Sequence, residues 1–338
     1  MDIQRVSMEA LDQDLPGVTI VIPARNAANT IGRTLDSLEN QATKIPLDIL
    51  IIDNKSDDQT INIVSAHPIG RRRKVRVIVQ KTQSGLASSY NVGWRNAQYD
   101  KIIYMHADCY LLDVNAIDLL MEALDMPGIV AVETAPIIPI SAWDDMGFWD
   151  KVTNSRYVGR DDHGYGGRFG AVRRNTMEAL GGYDEQHFFS AGEDVDIAVR
   201  LSKIGVILYS SMTVVHGHEH PKKSTIIYVL RKQWQLGQGF GALIRKHGIE
   251  LWKLPVMRLL IMVHGLKFFL LAGLLFPYIR LPCLVVLLAM VAVYSWKALF
   301  LADKRVILIP LVVTAQFVSF LVATAVGLVF GRQISDYK

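Results

Sequence analysis

Lys101-Ile102-Ile103-Tyr104-Met105-His106-Ala107-Asp108 is the stretch on which the architecture of this chain turns. Its apolar and aromatic run, bounded by Asp100 before and a polar tip after, fits a central strand of a parallel sheet covered on both faces. Such sheets carry their chemistry at the carboxyl ends of their strands. Asp108 at that edge, with His106 two residues earlier on the same side of the strand, suits a divalent cation held against a phosphate. A lone His-x-Asp is more often a turn cap, so the rest of the chain has to decide.

Toward the N-terminus the same unit repeats. Val18-Thr19-Ile20-Val21-Ile22-Pro23 is a β-branched run stopped by proline, after which Ala24-Arg25-Asn26 turns into a helix with Ile31, Leu35 and Leu38 on one face. Leu47 to Ile52 is a second strand ending at Asp53. Asn54-Lys55-Ser56-Asp57-Asp58 then offers capping oxygens to a helix begun near Thr60, with Ile61 and Val64 facing inward. Lys74 to Val79, a helix from about Ser84 to Gln98 and the strand to Asp108 complete the pattern. Alternation at this length predicts a right-handed α/β sheet whose polar tips share one edge. Asp53 and Asp108 are then neighbours, and two acidic tips point to a nucleotide-diphosphate site, one carboxylate for base or ribose and one for a metal. A dinucleotide-binding dehydrogenase is disfavoured, because Pro23-Ala24-Arg25-Asn26 stands where Gly-x-Gly-x-x-Gly would follow the first strand.

Later segments add candidates. Trp143, Met146, Phe148 and Trp149, mixed with Asp144, Asp145, Asp150 and Lys151, fit either a helix at a membrane interface or a buried aromatic corner. Gly164 to Gly170, which includes Arg168, reads as a loop that closes on substrate or simply turns into the next strand. Acids in the first turn of the helix after Phe188 are ordinarily caps. Beside two acidic strand tips, Asp194 becomes a candidate general base, suited to accept a hydroxyl proton as the oxygen attacks. The strand from Val206 leads to Val214-Val215-His216-Gly217-His218-Glu219-His220, where His216 is best placed to ligate a metal beside Asp108.

The 338 residues carry a formal net charge of only +4. The basic clusters Arg71-Arg72-Arg73-Lys74 and Lys222-Lys223 read as solvated faces, with attraction to anionic lipid as the alternative, and no nucleic-acid partner is expected. Charges thin out after about Lys253. Leu281 to Ala302 and Val306 to Phe330 are each long enough to span a bilayer, with Asp303-Lys304-Arg305 as a charged turn. Val256 to Ile279 is interrupted by Arg258, His264 and Lys267, so it spans with Lys267 facing protein or a head group, or lies partly along the interface. Three spans, favoured over two, keep Lys304 and Arg305 on the side of the head and put the C-terminus outside. Residues 1–17 form a polar, acidic extension without an apolar leader, so a head at 18–250 is expected on the cytoplasmic face of the cell membrane and a helical membrane region at 251–338. Cys109 and Cys283 are expected as free thiols.

With these residues assembled, Val18 to Gly248 resembles the inverting family 2 glycosyltransferases, an α/β family of GT-A fold with a Rossmann-like mixed sheet. Val-Ile-Pro-Ala-Arg-Asn is similar to the family's opening strand, which implies nucleotide contacts at Pro23, Ala24, Arg25 and Asn26. Asp53 to Thr60 resembles its Asp-Asn-Gly-Ser-x-Asp-x-Thr nucleotide loop, with Lys55 in the glycine's place and Asp53 and Ser56 as contacts. Gly85 and Asn91-Val92-Gly93 match the following helix, Gly85 as a further nucleotide contact. His106-Ala107-Asp108 occupies the family's Asp-x-Asp site, with the first acid changed to histidine. Gly192-Glu193-Asp194 matches the Glu-Asp motif whose second acid is the base, and His216 matches a metal-ligating histidine of some members. Arg231 to Gly239, containing Gln233 and Trp234, resembles the basic segment after the catalytic core and is expected at the acceptor together with Arg168 and Gly170. It only loosely echoes the Gln-x-x-Arg-Trp motif of cellulose-synthase-like members, so transfer of one sugar is expected rather than polymer synthesis.

The resemblance implies a single displacement at the anomeric carbon, with Mn2+ or Mg2+ held through Asp108, Asp53 on the nucleoside and Asp194 deprotonating the acceptor. An apolar tail on such a head implies a lipid-linked acceptor, such as polyprenyl or dolichyl phosphate or a lipid-linked oligosaccharide. Similarity to archaeal and bacterial membrane mannosyltransferases makes GDP-mannose the expected donor. A UDP-sugar donor, or a non-catalytic membrane-bound relative, is the alternative. His106 is the best support for the latter; the intact Asp53, Asp108, Glu193, Asp194 and His216 set argues against it.

Overall fold

The computed structural model describes residues 17–159, 168–217 and 224–334. The N-terminal extension, Gly164 to Gly167, His218 to His220 and Lys222-Lys223 lie outside the described residues.

Strands β1 (Val18–Ala24), β2 (Leu47–Asp53), β3 (Lys74–Val79) and β4 (Lys101–Met105) are parallel, joined by helices α1 (Ile31–Glu39), α2 (Thr60–Ala66) and α3 (Gly85–Arg95). The uninterrupted apolar runs arise because both faces are covered. Alternate residues serve different layers: Ile20, Ile22, Ile49, Ile51 and Ile103 pack with Ile31, Leu35 and Leu38, while Val21, Leu50, Ile52, Ile102 and Tyr104 pack with Tyr90 and Trp94. In α2 the inward residues are Val64 and, in place of the expected Ile61, Ile63. The helix expected to reach Gln98 stops at Arg95.

The chain continues through β5 (Cys109–Leu111), α4 (Ala116–Leu124), β6 (Ile129–Ile137), α5 (Ala142–Asp145), α6 (Phe148–Asn154), β7 (Phe169–Arg173), α7 (Arg174–Leu180), α8 (Glu193–Leu201) and β8 (Val206–His216). All eight strands form one sheet in the order β3-β2-β1-β4-β7-β6-β8-β5. It is mixed rather than wholly parallel, since β7 runs antiparallel to β4 and β6, and β5 antiparallel to β8. That reversal matters for the site: β7 starts at the polar-tip edge, with Phe169 opposite Met105, so Arg168 is delivered beside His106. Asp53 and Asp108 share this edge, but β1 lies between their strands, so they are not the direct neighbours the strand order in sequence suggests.

Four long helices follow: α9 (Ile226–His247), α10 (Pro255–Gly273), α11 (Arg280–Ser295) and α12 (Ile309–Phe330). By length and composition, Pro255–Gly273 and Lys304–Phe330 can cross a membrane. The expected second span shortens to 16 residues, because the chain turns at Trp296. Lys267 faces protein: it is 6% exposed, with its ammonium 4.1 Å from the Phe317 ring. Phe148 and Trp149 of α6 are buried against α11 and α12, so the aromatic segment is a docking corner for these helices.

α9 and α12 run side by side in the same direction. Ser319 Oγ, midway along α12, donates to Leu230 O (3.1 Å) near the start of α9, and Arg245 Nη1 donates to Leu328 O (3.1 Å) near both ends. Between these points a Cβ on Gly237 would stand 2.4 Å from Phe320 O, and one on Gly241 2.1 Å from Thr324 O. Only glycine permits such an approach of two helix backbones. Beyond α12, Gln333 returns to the head: its N–H donates to His187 O (2.9 Å), and its Oε1 accepts from the N–H groups of Phe189 and Ser190 (3.0 Å each). The residues that follow α12 are thus hydrogen-bonded to the loop that precedes α8, on the head.

Candidate active site

β1 and β2 stay in register to Ala24 and Asp53, so their following loops leave the sheet together. Asn26 N–H donates to Ser56 Oγ (3.0 Å), Ala27 N–H to Thr60 Oγ1 (2.8 Å), Ala28 N–H to Asp58 Oδ2 (3.1 Å) and Asp57 N–H to Asn26 Oδ1 (3.0 Å). Asn26 (φ 51°) and Lys55 (φ 60°) are the non-glycine residues with positive φ among those described. Position 55 thus has the left-handed backbone that a glycine adopts without strain. Arg25, half-buried, opens the first loop, and Pro23 and Ala24 belong to β1 itself.

Asp53 is 1% exposed; Oδ2 accepts the Ser56 N–H (3.1 Å), and Oδ1, also buried, has no hydrogen-bond partner. A buried acceptor left open between two loops is suited to a donor group of a bound nucleoside. Gly85 serves another purpose. At φ 84°, it lets the backbone of Phe189 approach, accepting the Leu86 N–H at 2.9 Å, where a Cβ would stand 2.4 Å from the same oxygen.

The β5–β8 pairing sets Cys109 opposite His216 and brings His216 Nε2 to 3.0 Å from Asp108 Oδ2. His106 Nδ1 lies 3.9 Å from Asp108 Oδ1, and the His106 N–H donates to Arg168 O (2.9 Å). Burial alone would raise the Asp108 carboxyl, but His216 and His106 hold it well below the usual carboxylate range. Burial pushes His106 down to about 4 and also lowers His216, so both imidazoles are neutral with nitrogen lone pairs to offer. Asp108 and His216 bring a carboxylate and a neutral imidazole within 3.0 Å of each other, a pair that can ligate a divalent cation, while His106 stands farther off on the other carboxylate oxygen. A second acidic group, Asp36, Glu39 and His67, lies at the far end of α1. There His67 bonds Asp36 through Nε2 (3.1 Å) and accepts the Ile69 N–H at Nδ1 (3.2 Å), so it is already explained as a helix-to-turn clasp.

Glu193 and Asp194 open α8. Burial, reinforced by the Asp194 charge, raises Glu193 to about 8, and burial raises Asp194 as well. The sequence reading missed a third carboxyl. Glu133 in β6 pairs with Gly170 and Tyr209, and a Cβ on Gly170 would stand 3.0 Å from Glu133 Oε2, so the glycine makes room for it. Its buried Oε2 has no hydrogen-bond partner, and burial, then the Asp194 charge, raises it to about 8. Gly170 is thus a strand residue packed under this carboxyl rather than part of a mobile lid. Arg168, half-buried, lies within electrostatic reach of both Asp108 and Asp194. Tyr90, Tyr104 and Tyr183 form the aromatic floor, with Tyr90 6.3 Å from the His106 ring.

On α9, Arg231 is exposed, and Gln233 and Trp234 are half-buried. Two of their neighbours tie α9 to other segments, Gln235 to the loop before the Glu-Asp motif and Gln238 to the residues after α12. Gln235 Nε2 donates to Ser190 Oγ, and Gln238 Oε1 accepts the Ile334 N–H (2.8 Å). The Lys232 charge lies in the field of Asp108, Asp150 and Arg168. Only the 3.6-residue spacing of polar groups on an otherwise packed helix face could have singled out Gln235 and Gln238.

Residues 19–177 match the profile of the family described as Glycosyl transferase family 2. The chain is 34% identical over 108 residues to the chondroitin synthase of Pasteurella multocida (strain Pm70), covering 32% of this chain and 11% of the synthase. It is 22% identical over 269 residues to the probable glycosyltransferase YdaM of Bacillus subtilis (strain 168), covering 73% and 61%. It therefore spans about a tenth of the synthase's length and less than two thirds of YdaM's. Among solved structures, the mannosyltransferase PcManGT from Pyrobaculum calidifontis, in complex with GDP-Man and Mn2+, superposes with a TM-score of 0.57 at 17% identity, covering 96% of this chain and 91% of that one. That likeness concerns the fold, and it agrees with the mixed sheet. Residues 19–177 of this chain are a family 2 glycosyltransferase domain, carried on a GT-A-type sheet.

Proposed function

We propose that this protein is an inverting glycosyltransferase that moves a single sugar from a nucleotide-sugar to a lipid-linked acceptor at a membrane, with the head on the cytoplasmic side. Mannose from GDP-mannose is the first choice of donor. The observation that carries the reading is the arrangement of Asp108 with His216, and of Asp194, within reach of one arginine, Arg168, on the sheet edge that also holds the open carboxylate oxygen of Asp53. The likeness to a mannosyltransferase solved with GDP-Man and Mn2+ supports the donor and the metal, and the apolar helices α10 and α12 support the membrane.

In this reading Asp53 Oδ1 accepts a donor group of the nucleoside, and the laced loops of Asn26 and Ser56 shape its pocket. Asp108 and His216, with His106 beside them, would hold the divalent cation, which when bound supplies positive charge to the leaving diphosphate. Arg168 adds a fixed positive charge at the same place. Asp194 takes the proton of the attacking hydroxyl; its burial beside Glu193 and Glu133 makes it a stronger base than an exposed aspartate. Glu193 and Glu133, raised to about 8, keep their protons at neutral pH and so spare Asp194 two further negative neighbours. Arg168 and the exposed face of α9 around Arg231, Gln233 and Trp234 receive the acceptor. One displacement needs no protein nucleophile. Cys109, the thiol nearest the site, is buried, and burial pushes it up, away from thiolate.

The test is nucleotide release by the detergent-purified protein with Mn2+ or Mg2+, across GDP- and UDP-sugars, with and without polyprenyl phosphate and polyprenyl-diphosphate-linked sugars. Release of one nucleotide, stimulated by one lipid acceptor, is the expected result. Silence across the panel with metal-dependent nucleotide binding intact would favour a non-catalytic relative.

A further inference from the structure

α12 is the most continuously apolar of the long helices, with no charged side chain among its 22 residues. Both of its ends are fastened to the head. At the start, the Arg305 guanidinium lies 4.5 Å from the Phe148 ring, and Ile309, Val312 and Val313 pack with Phe148, Trp149 and Val152 of α6. At the finish, Gln333 is bonded to His187, Phe189 and Ser190. Its second half, from Phe320 onward, is seated on α9 through the close approaches at Gly237 and Gly241. A helix of 22 residues is about 33 Å long, enough to carry one end across the roughly 30 Å hydrocarbon core. With both ends on the head, it cannot have one end on each side of a bilayer.

α10 and α11 are built differently. They leave the head at Leu254 and Met257, which pack with Phe188 and Val199, and return where Lys297 N–H donates to Ser155 Oγ (2.8 Å). Their connection, Leu274-Leu275-Phe276-Pro277-Tyr278-Ile279, projects away from the head with Leu275 77% and Tyr278 98% exposed, and it carries no charge.

We infer that α12 stays on the head's side of the bilayer, its outward face of Leu311, Val318, Val322, Val329 and Phe330 laid into the acyl layer, and that the α10–α11 hairpin is the element that enters the membrane. The partner of this surface is lipid, for three reasons. The exposed residues of the three helices are apolar except Arg258, in the first turn of α10, and Arg280, which opens α11. The hairpin's connection is apolar from Leu274 to Ile279, and the Arg280 side chain that follows it donates back to Leu274 O (2.9 Å), a length of side chain that can reach headgroups of the far leaflet. Exposed Lys253 and Arg258 stand at the start of α10 and exposed Lys304 and Arg305 just before α12, cations suited to anionic headgroups, with Lys253 also paired to Glu250 and Arg305 to Asp303. The inference takes from the proposed function only that the head lies beside a bilayer, and it stands or falls without any assay of transfer.

The experiment uses the full chain with Cys283→Ser, in sealed vesicles of known orientation, carrying one new cysteine at a time: Val79→Cys on the head, Ile307→Cys before α12 or Ile334→Cys after it. A membrane-impermeant maleimide is added from one side. Positions 307 and 334 should be labelled in the same vesicle orientation as position 79, with at least about tenfold preference over the opposite orientation. Labelling of 334 only from the opposite side overturns the inference. So does labelling of 334 from neither side when detergent-solubilised protein labels fully, because that places it within the bilayer. A chain that fails to float with phosphatidylglycerol vesicles and instead elutes as a detergent-free dimer overturns it too, by giving the apolar face to a second copy.

Discussion

His216 Nε2 stands 3.0 Å from Asp108 Oδ2, joining residues 108 positions apart in the chain. The contact is made by the short antiparallel pairing of β5 with β8, which sets Cys109 opposite His216. His216→Ala should weaken Mn2+ binding by about 10–100-fold, as loss of a group that ligates or orients at a metal site does, while leaving the thermal midpoint nearly unchanged. Titration followed by the Mn2+ EPR signal measures it; an affinity equal to wild type would remove His216 from the site.

Asp194→Asn should lower turnover by about 10²–10⁴-fold and leave nucleotide affinity within about twofold. The carboxylate is needed to accept a proton, whereas the nucleotide loops are bonded to one another without it. Paired turnover and nucleotide-binding measurements check the split. Equal loss of both would mean that Asp194 is structural.

Lys55→Gly should raise stability by about 0.5–1 kcal/mol. Lys55 pays a steric cost at φ 60° that glycine avoids, offset in part by glycine's larger entropy when unfolded. The denaturant midpoint at constant slope reads the change.

Glu133→Gln tests the buried carboxyl. Glu133 is raised from the ordinary 4.5 to about 8 in the folded protein, by burial first and the Asp194 charge second. The folded state therefore binds its proton more tightly than the unfolded chain. The stabilisation is complete below about pH 4.5 and is lost as pH rises toward 8. Glutamine has nothing to titrate. The variant's stability relative to wild type, read from the thermal midpoints, should climb from pH 5 to pH 8.5 by on the order of 1 kcal/mol after allowance for partial solvent access. A difference that stays flat across this range would show that Glu133 is not held protonated.

Gln333→Ala should lower turnover by about 10–100-fold with little change in nucleotide affinity. Gln333 Oε1 holds the N–H groups of Phe189 and Ser190, the loop that leads into Glu193 and Asp194, so its loss loosens the base without touching the nucleotide pocket. Wild-type turnover would show that α9, through Gln235 and Ser190, positions the motif alone.

The sequence by itself determined β1, β2 and β4 and the polar residues that end them. Two-sided burial makes those strands continuous apolar runs, and Asp53 and Asp108 stand out where the runs stop. His216 was legible for the same reason, being the first polar group after Val214 and Val215. Tertiary structure alone decided the rest. Glu133 sits in an ordinary-looking Ala-Val-Glu-Thr strand and becomes a buried acid only because Gly170 lies beside it and Asp194 arrives from α8. α12 has the same composition whether its neighbours are lipid tails or α9, since both are apolar. The glycine contacts and the return of Gln333 to the loop before α8, both long-range, decide which side of the molecule it serves.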